Sequence, residues 1–372
     1  MKKLLLIGGG HSHVEVLRRL ADEPLADAEV TLISPHRHTG YSGMLPGWIA
    51  GHYTREDCHI DLEALAQAAR CRFARTSANG MQPDVRLAFG SDGTVFSYDI
   101  ASIDVGSRPG LLDVPGAAEY ALPVKPLERF IARWESIVSG EVTMPQDARI
   151  VTVGGGAAGV EVLLAMQHRL RTARADPPRL RFALATDSDD ILPMHSPAVR
   201  RVFRSVLRDR EVEVFTGFGA ARVMPDGIEC ATGNRIHSAL TVWATGASAP
   251  FWPQASGLAC DARGFIRVSP ALQSVNRSGI FAAGDIATMD GMPRPKSGVF
   301  AVRQGPPLAE NLRRALQGRD LLDHRPQREA LALISTGDRY AVASRGRWML
   351  RGAWVWHWKN RIDQRFMAKY AC

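Results

Sequence analysis

Two stretches decide the fold: Lys2 to Leu20, KKLLLIGGGHSHVEVLRRL, and Arg149 to Met166, RIVTVGGGAAGVEVLLAM. Each opens as a short apolar strand, runs into glycines and continues as a helix, with apolar positions at Val14, Leu17 and Leu20 in the first copy. Gly8 and Gly10 fill the first two places of the pattern G-x-G-x-x-G, whereas Gly154, Gly156 and Gly159 fill all three. The first glycine permits a tight strand-to-helix turn, and the second lets backbone approach a pyrophosphate at the positive helix N-terminus. The third lets the helix pack closely on the strand. His13 stands in the third place of the first copy. One such turn is an ordinary loop as readily as a nucleotide cradle. Two in the same context, a domain's length apart, indicate an internal repeat of a whole dinucleotide-binding unit.

Composition agrees with a soluble α/β chain. Of 372 residues, 45% are hydrophobic and 23% charged, with 34 glycines and 22 prolines, which excludes wholesale disorder, a coiled coil and a disulfide miniprotein. No apolar run is long enough to span a bilayer as a helix, and Leu4 to Ile7 is too short for a signal peptide, so the expected location is cytoplasmic. Cys58, Cys71, Cys230, Cys260 and Cys372 are scattered, with neither a zinc spacing nor a close redox pair. His11-x-His13 and His36-x-His38 lack suitably spaced partner ligands, and no metal is expected. The net charge of +8 is concentrated between Arg169 and Arg210 and in the last thirty residues. Such a balance admits nucleic acid, an anionic membrane or a phosphorylated ligand. No nucleic-acid-binding fold is signalled.

Shorter signals surround the cradles. Val30 to Ser34 reads as the second strand, with Ser34 where an acidic residue often holds a ribose. IDVGSRP (Ile103–Pro109) and TVWATGASAP (Thr241–Pro250) are strands ending in small turns through Gly106 and Gly246. GIFAAGDIA (Gly279–Ala287) is a strand ending in Gly284 and Asp285. A carboxylate at the C-terminal edge of a parallel strand can accept from a ligand hydroxyl, though it can equally cap a helix.

The ordered set GGGHSH, VGSRP, VGGGAAGVE, WATGASAP and FAAGDIA resembles the two-dinucleotide-binding-domain flavoproteins of the pyridine nucleotide–disulfide oxidoreductase superfamily. These include the type II NADH dehydrogenases and sulfide:quinone oxidoreductases. Pro295 to Leu312 and Leu331 to Arg345 look most like a subgroup of NADH dehydrogenase-like flavoproteins sometimes fused to selenide, water dikinase. The resemblance implies that the first cradle binds FAD, with Gly8, Gly10, His11 and Ser12 over its pyrophosphate, Ser34 and Pro35 near the adenosine ribose, and Ala78 near the adenine. Asp285 would hold the ribityl chain or diphosphate. Gly298, Val299 and Phe300 would open a helix whose N-terminus faces the flavin pyrimidine edge, where reduced flavin gathers negative charge. Lys296 would add a positive charge there or lie solvated at the surface. The loop His36–Gly47 would touch the isoalloxazine through Ser42 and Met44.

By the same resemblance the second cradle binds NAD(P)H, with Glu161 placing the nicotinamide over the flavin. The next strand, Arg181–Ala185, ends at Thr186 and Asp187, which leans to NADH while the nearby arginines keep NADPH open. Hydride passes to flavin by proximity, so no acid–base residue is expected. The cysteine positions match neither a disulfide reductase nor a sulfide:quinone oxidoreductase. The type II quinone-site pattern A-Q-x-A-x-Q aligns with Gly298 to Arg303, where both glutamines are replaced.

Near the end, Trp354, Trp358, Ile362, Phe366 and Tyr370 follow four-residue spacing, flanked by Lys359, Arg361, Arg365 and Lys369 against Asp363 alone. This stripe fits a helix docked on the body or on a second subunit of a homodimer, or an interfacial helix on the inner membrane face. The expected architecture is α/β: FAD domain 1–116 and 251–318, NAD(P) domain 117–250, and a C-terminal hairpin and helix 319–372. The expected activity is FAD-dependent NAD(P)H dehydrogenation with a quinone or other small acceptor. Reduction of a protein electron carrier and a non-turnover flavin accessory linked to selenium metabolism are the alternatives.

Overall fold

The computed structural model describes residues 1–110, 114–125, 127–173 and 179–371, so Arg174 and Cys372 lie outside the described residues. Leu4 to Ile7 are buried on both faces of their strand, as apolar runs in parallel sheets covered by helices are. The first sheet is parallel, in the order Ile280–Ala282, Ile100–Ile103, Lys2–Ile7, Ala28–Ile33, Arg72–Ala74. The second repeats it: Ala121–Pro123, Leu240–Trp243, Arg149–Val153, Arg181–Ala185, Val212–Phe215. Both glycine-turn strands are central, beside the point where strand order reverses, which is where open α/β sheets bind ligands. Each sheet also carries a three-stranded antiparallel meander, beginning at Ala78 in the first and at Ala220 in the second. The repeat is architectural, and the α/β class is as expected.

The chain returns to the first sheet after completing the second, because Ile280–Ala282 pairs with Ile100–Ile103. That return sets the turn Gly284–Ile286 beside the first glycine turn. It also lays the helix Gly298–Leu316 against the helix His11–Asp22. A Cβ at Gly305 would stand 2.6 Å from the Glu15 Cβ, so the crossing uses the missing side chain.

The C-terminal part is a three-stranded antiparallel sheet (Ala332–Ser335, Ala341–Arg345, Trp348–Gly352) followed by the helix Ala353–Ala368. The aromatic stripe does not face one environment. Trp354, Trp358 and Ile362 are exposed, Phe366 is half-buried and Tyr370 is buried. Four-residue spacing advances about 40° beyond a full turn at each step, which carries the stripe from solvent into the core. Lys359 and Asp363, read from the sequence as charges flanking the stripe, lie on the buried face. The chain end is fastened to the first helix, where the Tyr370 hydroxyl donates to Glu15 Oε2 at 2.8 Å and Lys369 Nζ pairs with it at 2.5 Å. Burial alone would push the Glu15 carboxyl up, but Arg18, Lys369, Tyr370 and Arg19 hold it at about 2. Among the described residues, no helix is long and apolar enough to cross a membrane.

The second cradle depends on one contact, since a Cβ at Gly159 would fall 1.9 Å from the Gly154 carbonyl oxygen. Gly159→Ala is expected to cost about 1–3 kcal/mol or more by forcing helix from strand. Urea unfolding checks this, and an unchanged midpoint would contradict the close approach.

Candidate dinucleotide sites

The first cradle is built around a carboxylate. The Gly10 amide donates to the Asp104 carbonyl at 3.1 Å, and the Ser12 and His13 amides donate to Asp104 Oδ2 at 2.8 and 3.1 Å. Asp104 is 2% exposed, and burial pushes its carboxyl up to about 7 despite these donors. His13 explains the missing third glycine. Its Nδ1–H donates to the Gly8 carbonyl at 2.7 Å, so Nε2 accepts from the Ser102 hydroxyl at 2.8 Å. The imidazole thus bridges helix to strand, and burial lowers its pKa to about 4. The Ser12 hydroxyl is spent on the Ala301 carbonyl at 2.8 Å.

His11 behaves differently. Its Nε2 is buried and has no protein partner, and burial together with Lys125 lowers its pKa to about 4. Asp285, in the turn after the returning strand, pairs with Lys125 at 2.9 Å and accepts from the Ser107 hydroxyl at 3.2 Å. Beyond Gly106 a Cβ would meet open space. An unpartnered imidazole nitrogen, an open turn and a carboxylate reachable by ligand hydroxyls fit the phosphate-to-sugar part of a dinucleotide. Gln304, at a helix position expected to point elsewhere, accepts from the Gly284 amide at 2.7 Å.

The other sequence-derived residues divide into two groups. Ser34 is buried at the end of the second strand, its hydroxyl donating to the His36 carbonyl at 3.0 Å, with Pro35 exposed beside it. Ala78 opens the first meander. Gly298 begins its helix as expected, and a Cβ there would lie 2.8 Å from Ser42 Oγ, which joins the His36–Gly47 loop to that helix start. Met44 and Phe300 are buried, while Val299 is exposed. Lys296 is neither solvated nor free: Nζ donates to Thr288 Oγ1 at 2.9 Å and to the Ala287 carbonyl, and stands 4.0 Å over the Phe265 ring. Burial lowers it to about 8.

In the second cradle the helix N-terminus is open. A Cβ at Gly156 would meet nothing within 4 Å, and the same holds at Gly246. Thr186 is buried behind Gly155, and Asp187, beyond the end of the strand Arg181–Ala185, is exposed. Arg200 and Arg204 turn away to Asp190, at 3.6 and 2.9 Å. Glu161 accepts from the Ser335 amide at 2.7 Å, and burial pushes its carboxyl up while the charge of Lys359 opposes.

Sequence reading missed a buried ion pair on the terminal helix. Lys359 Nζ donates to the Gly43 carbonyl and to Asp363 Oδ2, both at 2.6 Å, with the two side chains nearly buried. Burial pushes the Asp363 carboxyl up, against the pull of Lys359 and a hydrogen bond from Tyr41. Tyr41 stacks on Phe366 at 4.1 Å and meets His11 edge-on at 5.7 Å. The terminal helix therefore packs beside His11 of the first cradle, with the Phe366 and His11 rings 6.1 Å apart, and holds the His36–Gly47 loop through the Gly43 carbonyl. The available signal was a Lys–Asp pair at i, i+4 in register with Val355 and Phe366. A groove of about 810 Å³, lined by Met44, His52, Tyr53, Trp356, Asn360 and Gln364 among others, opens beside this helix. Lys359→Met leaves Asp363 buried without its cation and should cost about 3–5 kcal/mol. Adding Asp363→Leu should restore most of that in urea unfolding, and a double variant no better than the single would contradict the pairing.

Residues 2–305 match the pyridine nucleotide-disulphide oxidoreductase family. An NADH dehydrogenase-like protein of Mycobacterium tuberculosis is 28% identical over 235 residues, a match covering 62% of this chain and 58% of that protein. The NADH dehydrogenase-like protein YutJ of Bacillus subtilis is 24% identical over 97% of this chain and 99% of its own length. The sulfide:quinone oxidoreductase of Aquifex aeolicus superposes with a TM-score of 0.81 at 18% identity, covering 100% of this chain and 91% of that one. That last likeness concerns the fold. With two glycine-turn domains in order and a family match over most of its length, the chain belongs to the pyridine nucleotide-disulphide oxidoreductases.

Proposed function

We propose that this protein is an FAD-dependent NAD(P)H dehydrogenase that passes electrons to a quinone or another small acceptor. The observation that carries the reading is the pair of glycine turns at the strand-order reversals of two parallel sheets, with the C-terminal part bonded to both sides, Ser335 to Glu161 and Lys359 to the Gly43 carbonyl. FAD, when bound, supplies the chemistry of accepting a hydride and releasing electrons onward. The protein's share is positioning. His11 and the open turn at Gly106 receive the FAD diphosphate region, and Asp285 takes a hydroxyl of its ribityl chain. Gly156 lets the backbone approach the NAD(P)H pyrophosphate. Asp187 favours a free 2′-hydroxyl, hence NADH over NADPH. Glu161, braced on Ser335, orients the nicotinamide side.

The late helix carries Val299 and Arg303 in place of the two glutamines of the type II quinone pattern. The groove beside Met44 has the size of a small-molecule site and is the proposed docking place for a planar acceptor. The selenium-linked accessory reading is favoured only by the likeness of Pro295–Leu312 and Leu331–Arg345 to that subgroup, and it requires that turnover be negligible.

Attachment to an anionic membrane surface is part of the proposal. Trp354, 55% exposed, stacks on Trp358 on the solvent side of the terminal helix, with Ile362 exposed one turn on and Arg361 and Arg365 exposed beside them, and Trp348 is 81% exposed on the strand before the helix. Exposed aromatic side chains beside basic ones are suited to the headgroup layer.

Anaerobic mixing with NADH should bleach the flavin band near 450 nm faster than mixing with NADPH. Failure of both nucleotides with FAD bound would refute the dehydrogenase. Gly156→Ala should keep the yellow colour and the fold while weakening NADH binding by about tenfold or more, about 1.4 kcal/mol. Unchanged affinity would remove the second cradle from the reaction. Flotation with phosphatidylserine-containing vesicles should recover the protein, and Trp354→Ser with Trp358→Ser should release it. Equal flotation of that variant would exclude this face as the attachment surface.

A further inference from the structure

The chain contains its own control for the first cradle. Its two glycine turns make matching backbone hydrogen bonds: the Gly8 and Gly154 amides donate to the Ile33 and Ala185 carbonyls, both at 2.8 Å, and the Asp104 amide donates to the Ile7 carbonyl at 2.8 Å, as the Ala244 amide donates to the Val153 carbonyl at 2.9 Å. Each of these residues backs its own turn. A Cβ on Gly8 would strike the Asp104 carbonyl, and one on Gly154 would strike that of Ala244. Asp104 thus stands where the second cradle has alanine. The difference falls where an anion binds. In the second cradle the space before the helix is open at Gly156, whereas in the first a Cβ at Gly10 would run into the Asp104 carboxylate. That carboxylate already holds the Ser12 and His13 amides.

We infer that Asp104 is a resident anion of the FAD cradle and must take up a proton when the FAD diphosphate arrives, so that cofactor affinity falls as pH rises. The inference rests on the reading that the first cradle binds FAD. A helix N-terminus favours one anion at its free amides. A diphosphate brought against a buried carboxylate raises the cost of keeping both charged, and the carboxylate is the group that can become neutral. The surroundings offer little relief. From the helix face come His11 and His13, both held neutral by burial. From the returning turn comes Asp285, a second negative charge whose cation, Lys125, is occupied with it. Lys296, on the same side of the returning turn as Asp285, is held on Ala287 and Thr288, and burial lowers it into the alkaline range at about 8. The linkage has a definite sign. Protons are taken up on binding, so affinity is highest below the ordinary titration of Asp104 in the free protein. It declines above that point by at most about tenfold per pH unit.

The holoprotein provides the test. FAD released on serial dilution, followed by its fluorescence, gives the dissociation constant at pH 6 and pH 8.5. The expected result is a weakening of more than tenfold at the higher pH, with Asp104→Asn nearly flat and tighter than the natural protein at pH 8.5. Lys296→Met should keep the slope. A pH-independent constant in the natural protein, or a slope that survives Asp104→Asn, overturns the inference. If Asp104→Asn does not fold, calorimetric FAD binding to the natural protein at pH 8 in two buffers of different ionisation enthalpy decides. Proton uptake approaching one per FAD supports the assignment and none overturns it. A protein that carries no FAD at either pH overturns the cofactor reading itself, a result distinct from bound but pH-independent FAD.

Discussion

Both halves of the molecule depend on one demand: a helix N-terminus must be brought down onto the end of a central parallel strand, and its buried backbone must be satisfied there. The second half meets it with an absence, because Gly159 leaves the room that the Gly154 carbonyl occupies. The first half meets it with side chains, His13 bonding to the Gly8 carbonyl and Asp104 holding the Ser12 and His13 amides. The strategies differ in electrostatics. A cradle made with glycine leaves the positive helix end open to a ligand, while one made with a carboxylate answers it in advance. Two dinucleotide sites in one chain therefore need not respond alike to pH.

The C-terminal part is bonded to both halves. One face of its helix carries Lys359 and Asp363 into the loop after the second strand, and Ser335 of the preceding hairpin donates to Glu161 of the other cradle. Beyond it, Lys369 and Tyr370 close on Glu15 of the first helix. The opposite face keeps Trp354 and Trp358 stacked in solvent, ring centroids 6.5 Å apart. A helix held by buried ionic contacts on one side can present apolar side chains on the other without losing its place. That division joins the proposed membrane contact to the site without requiring the helix to move.

Much of this was legible in the sequence, and the limits have physical causes. Glycine turns are readable because positive φ and close approach admit few residues, and buried parallel strands because apolar runs such as Leu4–Ile7 have few other uses. The order of motifs then indicated the class, the repeat and the cradle glycines. What failed to show was long-range pairing of charge. Lys359 and Asp363 look like a solvated i, i+4 pair, and only the drift of a four-residue stripe around the helix shows that they turn inward. Lys296 looks like a free cation next to the flavin helix, yet it is consumed by Thr288, Ala287 and the Phe265 ring. Asp104 sat in plain view within IDVGSRP. Its meaning needed the comparison with Ala244 in the matching turn.

In the proposed reaction the two cradles serve one direct transfer between bound dinucleotides. Its most direct test is flavin reduction under anaerobic conditions by NADH deuterated at one or the other face of nicotinamide C4. A single defined juxtaposition of the rings predicts a primary isotope effect on bleaching with one stereoisomer and none with the other. Equal rates with both deuterated forms and with unlabelled NADH, under conditions where binding is saturated, would mean that hydride transfer does not limit bleaching. NAD+ that keeps part of its deuterium from both stereoisomers would mean that the two rings have no single juxtaposition, and direct transfer between two defined sites would be contradicted.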